Sequence, residues 1–281
     1  MPSSQIIGVL FGLTSALVWG SADFCGGLAA RRISQFQALA LSSSAGLAIL
    51  LVAAWIRGES GLTTADLFWA SGAGILGALG IAALYQGLAS GNITVVAPTA
   101  AVIGAALPVL FGSLLEGFPG FTRLAGFFAG ALGIWFVAKT PSEASSRINS
   151  GLRLGILAGI SFGAFFILIA QVHPGSIFAP LAVSKTASVG LALILLWARR
   201  EKLPWPPTQP IALLAGILDA GGNIFYLLAT QFTRLDIAVV LSSMYPASTV
   251  ILAGFILGER SSPAQWAGVM LCLVAVALIA I

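Results

Sequence analysis

An apolar stretch of the chain, Ala215–Tyr226 (AGILDAGGNIFY), carries three polar side chains at helical spacing. Asp219 lies near its middle, Asn223 follows one turn later and Tyr226 about another turn on, so the three fall near one helical face. A charge at the centre of a bilayer costs roughly 2.5–3.5 kcal/mol on insertion scales and therefore normally faces a cavity or a partner. The pattern predicts that these residues bind a substrate or a coupling ion.

A second charge inside an apolar segment is Lys185. From the helical rise, Lys185 and Asp219 lie roughly 12–15 Å from the same membrane face, a depth that permits an ion pair. Pairing would offset part of each desolvation cost, and its opening could be linked to binding of a substrate or a proton. The alternatives are a fixed structural pair between helices, or a lysine that extends to the nearer interface.

The first apolar segment carries a stripe of residues at three- or four-residue spacing: Gly8, Gly12, Ser15, Trp19 and Asp23. The glycines are typical of close helix packing. Trp19 lies too deep for an interfacial aromatic, and its counterpart in the second half of the chain is Phe166. The two rings are predicted to flank a planar or cationic substrate, with core packing as the alternative. Asp23 is predicted to be a gate or proton site, or to pair with Arg31 or Arg32.

A third polar face lies near the end of the chain, where Ser242, Tyr245 and Thr249 share one side of a helix with Pro246 beside them. Proline removes a backbone donor and frees a carbonyl one turn earlier, which suits a cavity wall or a hinge. A fixed kink is the alternative. Tyr85 is a further candidate for substrate contact.

The composition excludes a soluble protein. Of the 281 residues, 58% are hydrophobic and only 8% charged, and the mean hydropathy is +1.02, whereas soluble domains carry about 25% charged residues. The net charge of +4 comes from basic residues scattered at helix ends, so it does not indicate a nucleic-acid partner. No metal-spaced cluster, phosphate-binding loop or nucleophile–base set is present in the sequence, so we expect no enzyme, no cofactor and no metal site.

Ten segments are long and apolar enough to span a membrane. They cover roughly residues 6–28, 36–56, 65–88, 93–115, 120–138, 152–171, 177–198, 209–231, 237–257 and 263–280. We predict a first repeat of five spans over residues 1–140, a linker over 141–150 and a second repeat of five spans over 151–281.

The repeats are supported by sequence matches at an offset close to 143 residues. Gly8–Gly12 matches Gly155–Gly159, and Ala73–Leu76 recurs identically as Ala215–Leu218. An odd number of spans in each half forces opposite orientations, which predicts an inverted repeat with a binding site between the halves near the midplane. The predicted fold is therefore an all-α membrane protein of ten transmembrane helices, arranged as two inverted five-helix repeats around a central cavity.

Lys and Arg are unevenly distributed over the predicted loops. Nine lie after odd-numbered spans and three lie on the opposite side. The excess predicts that the odd-numbered loops are cytoplasmic, in a multi-pass protein of the cell (inner) membrane.

Two segments, Ser242–Val269 and Gly12–Phe24, resemble the EamA family of the drug/metabolite transporter superfamily. The first has a proline within an apolar span, Gly-Glu at its exit, a short polar turn and Ala-Gly. The resemblance covers the whole chain and implies ten helices, a central cavity and alternating access. In the first half, Glu116 is followed by Gly-Phe, and no proline matches Pro246, so the halves need not bend alike.

The resulting hypothesis is a secondary active transporter of small metabolites, an exporter of amino acids or related aromatic or cationic compounds. The alternatives are a multidrug or cation exporter of the same superfamily, or a membrane scaffold or lipid-handling protein. The expected partners are a small-molecule substrate, membrane lipid and protons as coupling ion. The expected assembly is a monomer or a weak homodimer.

Overall fold

The chain folds into α-helices. The computed structural model describes residues 2–59, 61–91, 93–116, 120–138, 145–169, 171–173, 177–232, 241–242, 244–258 and 262–280. Within these ranges there are ten α-helices and no strand: α1 (Pro2–Ala29), α2 (Gln35–Arg57), α3 (Thr64–Ala89), α4 (Ile93–Glu116), α5 (Gly120–Ala138), α6 (Ser145–Ile169), α7 (Phe178–Ala198), α8 (Pro210–Phe232), α9 (Tyr245–Leu257) and α10 (Pro263–Ala280). The predicted all-α class is confirmed.

Six of the helices are long and apolar enough to cross a membrane on their own. Their spanning parts are Ile6–Ala29, Gln35–Arg57, Thr64–Ala89, Asn149–Ile169, Phe178–Ala198 and Pro210–Ala229. Shorter apolar helices cover Ile93–Pro108, Tyr245–Leu257 and Trp266–Leu278. Together with exposed rings such as Trp55, Phe128 and Phe255, which suit a lipid surface, these helices make the chain a multi-pass membrane protein.

Polar caps determine where α2 and α3 begin. Ser34 and Gln37 form a reciprocal capping box at α2, and Thr63 and Asp66 form another at α3. Each box pairs amides that the first helical turn would otherwise leave without an acceptor. The helix α2 ends at Gly58, which has a left-handed backbone with φ 64°.

Two boundaries differ from the predicted segments. The helix α6 begins at Ser145, so the part of the predicted linker 141–150 that the structure describes is helical. The helix α9 begins at Tyr245, because Met244 forms a turn before it and Pro246 occupies its first turn. A proline there needs no amide partner. Of the predicted span 237–257, residues 237–240 and 243 lie outside the described residues.

The helices α2 and α7 are antiparallel neighbours. Ser34, at the start of α2, donates its hydroxyl to the carboxylate of Glu201, just beyond α7. At the other end, Glu59 Oε2 accepts the amides of Ile177, Phe178 and Ala179 at the start of α7, at 3.0, 2.7 and 2.8 Å. Because the start of each helix is bonded to the end of the other, α2 and α7 run in opposite directions.

Most of the other contacts between helices come in equivalent pairs. Each of these contacts of a first-half helix with a second-half helix has a counterpart in which the two halves change places. The helix α1 packs on α8 as α6 packs on α3, and α1 packs on α9 as α6 packs on α4. Likewise α2 packs on α8 as α7 packs on α3, while α5 packs on α10. Residues of both halves therefore meet around α1, α3, α7 and α8.

Candidate functional site

The candidate site centres on an ion pair between α7 and α8. Lys185 Nζ lies 2.6 Å from Asp219 Oδ2, and the two side chains are 13% and 23% exposed. The ion pair that was predicted to be possible, because Lys185 and Asp219 lie at equal depths, is therefore formed. Asp219 Oδ2 itself is buried, so the partial exposure lies on the rest of the two side chains and not at the contact between their charged atoms.

Small residues bring the helices of this pair close to their neighbours. A Cβ at Gly216 would overlap the backbone carbonyl of Ser42, and one at Gly74 would overlap that of Ser184. Ser188 Oγ also donates to the Gly74 carbonyl oxygen at 2.9 Å. Gly74 and Gly216 are equivalent positions of the two halves, so the same close approach occurs twice. It places Asp219 one turn after the α2–α8 contact and Lys185 next to the α3–α7 contact.

Asp23 of α1 adds a second carboxylate to the group. It interacts electrostatically with Asp219, and its side chain is partly exposed. The phenol groups of Tyr85 and Tyr245 also lie within its electrostatic reach. Lys185 pairs with Asp219, and Asp23 brings a second carboxyl group within electrostatic reach of that pair. The roles of Asp23 as a gate or proton site, or as a partner of Arg31 or Arg32, stay predictions.

Trp19 and Tyr226 form an aromatic wall beside these charges. The Trp19 ring lies directly on Gly222, where any Cβ would overlap it, and its centroid is 5.8 Å from that of Tyr226 with 32° between the planes. Ser15 Oγ holds α1 there by donating to the Gly222 carbonyl oxygen at 2.9 Å. Asn223 Nδ2 donates to the Asp219 carbonyl oxygen at 2.7 Å, so this amide is held by its own helix.

Thr249 of α9 and the helical residue Ser242 before it lie in a helix contact. Thr249 Oγ1 donates to the Gly20 carbonyl oxygen at 3.1 Å, and Ser242 Oγ lies 3.5 Å from that of Gly12. Both side chains are buried, as is Pro246, so in this conformation they join α9 to α1. Their roles in substrate contact and as a hinge stay predictions.

Two further candidates lie in different surroundings. Tyr85 is buried, and its ring fills the space beside Gly26. Phe166 is 41% exposed and packs edge-on against Phe165 at 5.4 Å between centroids. The side chain that lies against Gly77 of α3 is Phe165. A substrate contact at Phe166 stays a prediction.

Residues 6–139 and 149–281 each match the EamA-like transporter family. This protein belongs to the EamA-like transporter family. The uncharacterized transporter sll1319 of Synechocystis sp. is 24% identical to it over 134 residues, which are 46% of this chain and 40% of that relative. A solved crystal structure superposes with a TM-score of 0.64 at 19% identity, covering 97% of this chain and 96% of the other. That likeness concerns the fold alone.

Both halves of this EamA-like transporter carry a short motif that the sequence analysis missed. Residues 55–59 read WIRGE and residues 197–201 read WARRE, at the ends of α2 and α7. The glutamates of the two motifs, Glu59 and Glu201, make the contacts between α2 and α7 described above. The repeat offset aligns these motifs, so a systematic comparison of the halves would have found them.

A second missed contact lies at the start of α3. Asp66 Oδ1 accepts the backbone amide of His173 at 2.9 Å and lies 2.9 Å from its ring Nδ1. The His173 side chain is 71% exposed, so the interaction anchors the connection between α6 and α7. The residues that the structure describes contain no group of three or more His, Cys, Asp or Glu able to hold a metal ion.

Proposed function

We propose that this EamA-like transporter is a secondary active transporter that moves small amphiphilic metabolites by alternating access between two inverted repeats. The observation that carries the proposal is the Lys185–Asp219 ion pair within two membrane-spanning helices, with Asp23 within electrostatic reach of Asp219. Ionisable side chains inside membrane-spanning helices are costly to desolvate and typically mark a substrate or ion pathway, which is why this pair supports transport.

Inversion of the repeats is supported by the hydrogen bonds between α2 and α7. These helices are equivalent in the two halves, and their opposite ends are bonded. If equivalent helices are antiparallel, the halves that contain them have opposite orientations in the membrane. A site between such halves is exposed to one side of the membrane when one set of contacts opens, and to the other side when the equivalent set opens.

The proposed cargo is an amino acid or a related aromatic or cationic compound. A zwitterion can present its ammonium to Asp219 or Asp23 and its carboxylate to Lys185, so the opened ion pair gains new partners and neither charge stays bare. Trp19 and Tyr226 offer a flat apolar surface to the remainder, and they also suit a cation. Protons are the proposed coupling ion and export the proposed direction, with Asp23 as the proton acceptor.

The test uses purified protein reconstituted into liposomes. A thermal-unfolding screen against amino acids, polyamines, nucleosides and lipophilic cations first finds a stabilising ligand. Transport of that ligand is then measured for wild type and Asp219→Asn under an imposed pH gradient. We expect gradient-driven accumulation by wild type and at least tenfold slower transport by the variant.

Two outcomes separate the alternatives. If lipophilic cations stabilise the protein and amino acids do not, the protein would be a cation exporter and not an amino-acid exporter. If no small molecule stabilises the wild-type protein and none is transported by it, the result would support a membrane scaffold, and the proposal would fail.

A further inference from the structure

Arg200 has a backbone conformation that is unusual for its residue type. It follows the C-cap of α7 with φ 56° and is the one non-glycine residue with a positive φ in the part of the chain that the structure describes. The equivalent residue of the first half is Gly58, with φ 64°. A left-handed backbone is unstrained for glycine but strained for a residue with a Cβ.

Both helix ends are otherwise closed in the same way. The amide of Glu59 donates to the Ala54 carbonyl oxygen at 3.0 Å, and that of Glu201 donates to Leu196 at 2.9 Å. The geometry therefore needs no arginine, and glycine satisfies it in the first half. Strain that persists without a structural need indicates that the side chain has a role.

The Arg200 side chain borders an open recess of ≈ 490 Å³ lined by Trp197, Ala198, Arg200 and Glu201. The carboxylate of Glu201 already accepts the hydroxyl of Ser34. Gln37 Nε2 donates to the Lys202 carbonyl oxygen at 2.7 Å, which fastens the connection after α7 to the start of α2. The recess is therefore held by hydrogen bonds on two sides.

Positive charge is concentrated in the two segments that these hydrogen bonds join. The connection after α7 contributes Arg199, Arg200 and Lys202, and the turn before Ser34 contributes Arg31 and Arg32. The guanidinium of Arg199 lies over the Phe36 ring, 4.9 Å from its centroid. At the equivalent end of α2, Arg57 and Glu59 stand in the same motif, with Gly58 in place of Arg200.

The recess also lies at the depth of lipid headgroups, because it is at the end of the membrane-spanning helix α7. Trp197 and Trp205 are 82% and 72% exposed there, as is typical of tryptophans at the membrane–water interface. A guanidinium binds a phosphodiester through two parallel hydrogen bonds. We propose that this recess binds the headgroup of an anionic phospholipid of the adjoining leaflet.

The test is a titration of purified, delipidated protein with phosphatidylglycerol, with dissociation constants measured by native mass spectrometry. Arg200→Gly places the first half's residue in the second half, so we expect the lipid-free variant to melt at the wild-type temperature or above it. Its affinity for phosphatidylglycerol is expected to be about fivefold to tenfold weaker. Arg57→Ala, at the other end of α2, is expected to bind the lipid like wild type.

Three results would overturn the proposal. Unchanged phosphatidylglycerol affinity in Arg200→Gly would remove the guanidinium from the site. An equal loss in Arg57→Ala would mean that any surface cation has the same effect. An equal affinity of wild type for phosphatidylcholine, or for soluble glycerol phosphate, would mean that the recess selects no anionic lipid.

Discussion

Lys185 and Asp219 form an ion pair of 2.6 Å between two consecutive helices of the second half. The equivalent positions of the first half are Ser43 and Gly77, neither of which carries a charge. One half has therefore acquired an ionic pair within a contact pattern that the two halves otherwise share. The asymmetry places the distinctive chemistry of the site on α7 and α8.

Removing one member of this pair is expected to destabilise the protein more than removing both. Lys185→Met leaves Asp219 without its counterion while Asp23 remains within electrostatic reach. The cost is about 1–3 kcal/mol, below the 3–5 kcal/mol of a fully buried pair because the groups are partly exposed. Lys185→Met with Asp219→Asn should recover most of it. The free energies of unfolding come from denaturant titration in detergent, and simple additivity of the two single variants would contradict the coupling.

The close approaches at Gly74 and Gly216 predict two equivalent destabilising substitutions. Gly216→Ala and Gly74→Ala each force a methyl group into the backbone of a neighbouring helix, at a cost of about 1–3 kcal/mol. Gly190→Ala is the matched control, because its Cβ would meet nothing within 4 Å. Alanine favours a helix over glycine by up to about 1 kcal/mol, so this control should be neutral or stabilising. Thermal unfolding in detergent distinguishes them, and equal melting temperatures for all three variants would refute the described packing.

Glu59 is expected to protect the first amides of α7 from hydrogen exchange. Its carboxylate accepts three amides at a helix N-terminus, where negative charge is favourable. Glu59→Gln weakens charge-assisted bonds worth about 1–2 kcal/mol, so exchange at Ile177–Ala179 should accelerate about tenfold. Glu201→Gln acts at the other end of α2 and α7 and should leave these amides unchanged. Equal acceleration in both variants would indicate general destabilisation and not a local cap.

The seating of Trp19 on α8 predicts different outcomes at two adjacent glycines. Gly222→Ala displaces the ring and is expected to weaken binding of a stabilising ligand about tenfold, with a loss of about 1–3 kcal/mol in stability. Gly221→Ala would only touch Val18 Cγ1 at 3.5 Å, an ordinary contact, and should bind like wild type. Ligand affinity from thermal shifts at increasing ligand concentration checks the pair, and indistinguishable affinities would exclude the ring from the site.

Polar residues in apolar runs were the most informative part of the sequence. Because a bilayer penalises a charge strongly, Asp219 and Lys185 needed a partner, and their depths could be read from the helical rise. The same reasoning could not choose between Arg31 and Arg32 as a partner of Asp23. The structure places Asp219 within its electrostatic reach, a neighbour that spacing along one helix cannot identify.

Hydroxyl groups were less predictable than charges. Ser242 and Thr249 share a helical face, which is equally typical of a cavity wall and of a helix contact. Thr249 donates to the Gly20 carbonyl oxygen at 3.1 Å, and this bond depends on how α9 approaches α1. Local pattern does not encode that approach, since a hydroxyl can be paired in either environment.

The sequence by itself determined the membrane class, the helices and the existence of two related halves, because hydropathy and periodicity are local properties of the chain. Only the tertiary structure decided which groups meet: Lys185 with Asp219, Glu59 with the start of α7, and Arg200 with its recess. The physical reason is that close packing at Gly74 and Gly216 sets the distance and rotation between helices far apart in the chain. Those contacts, and not the spacing within any helix, bring the site together.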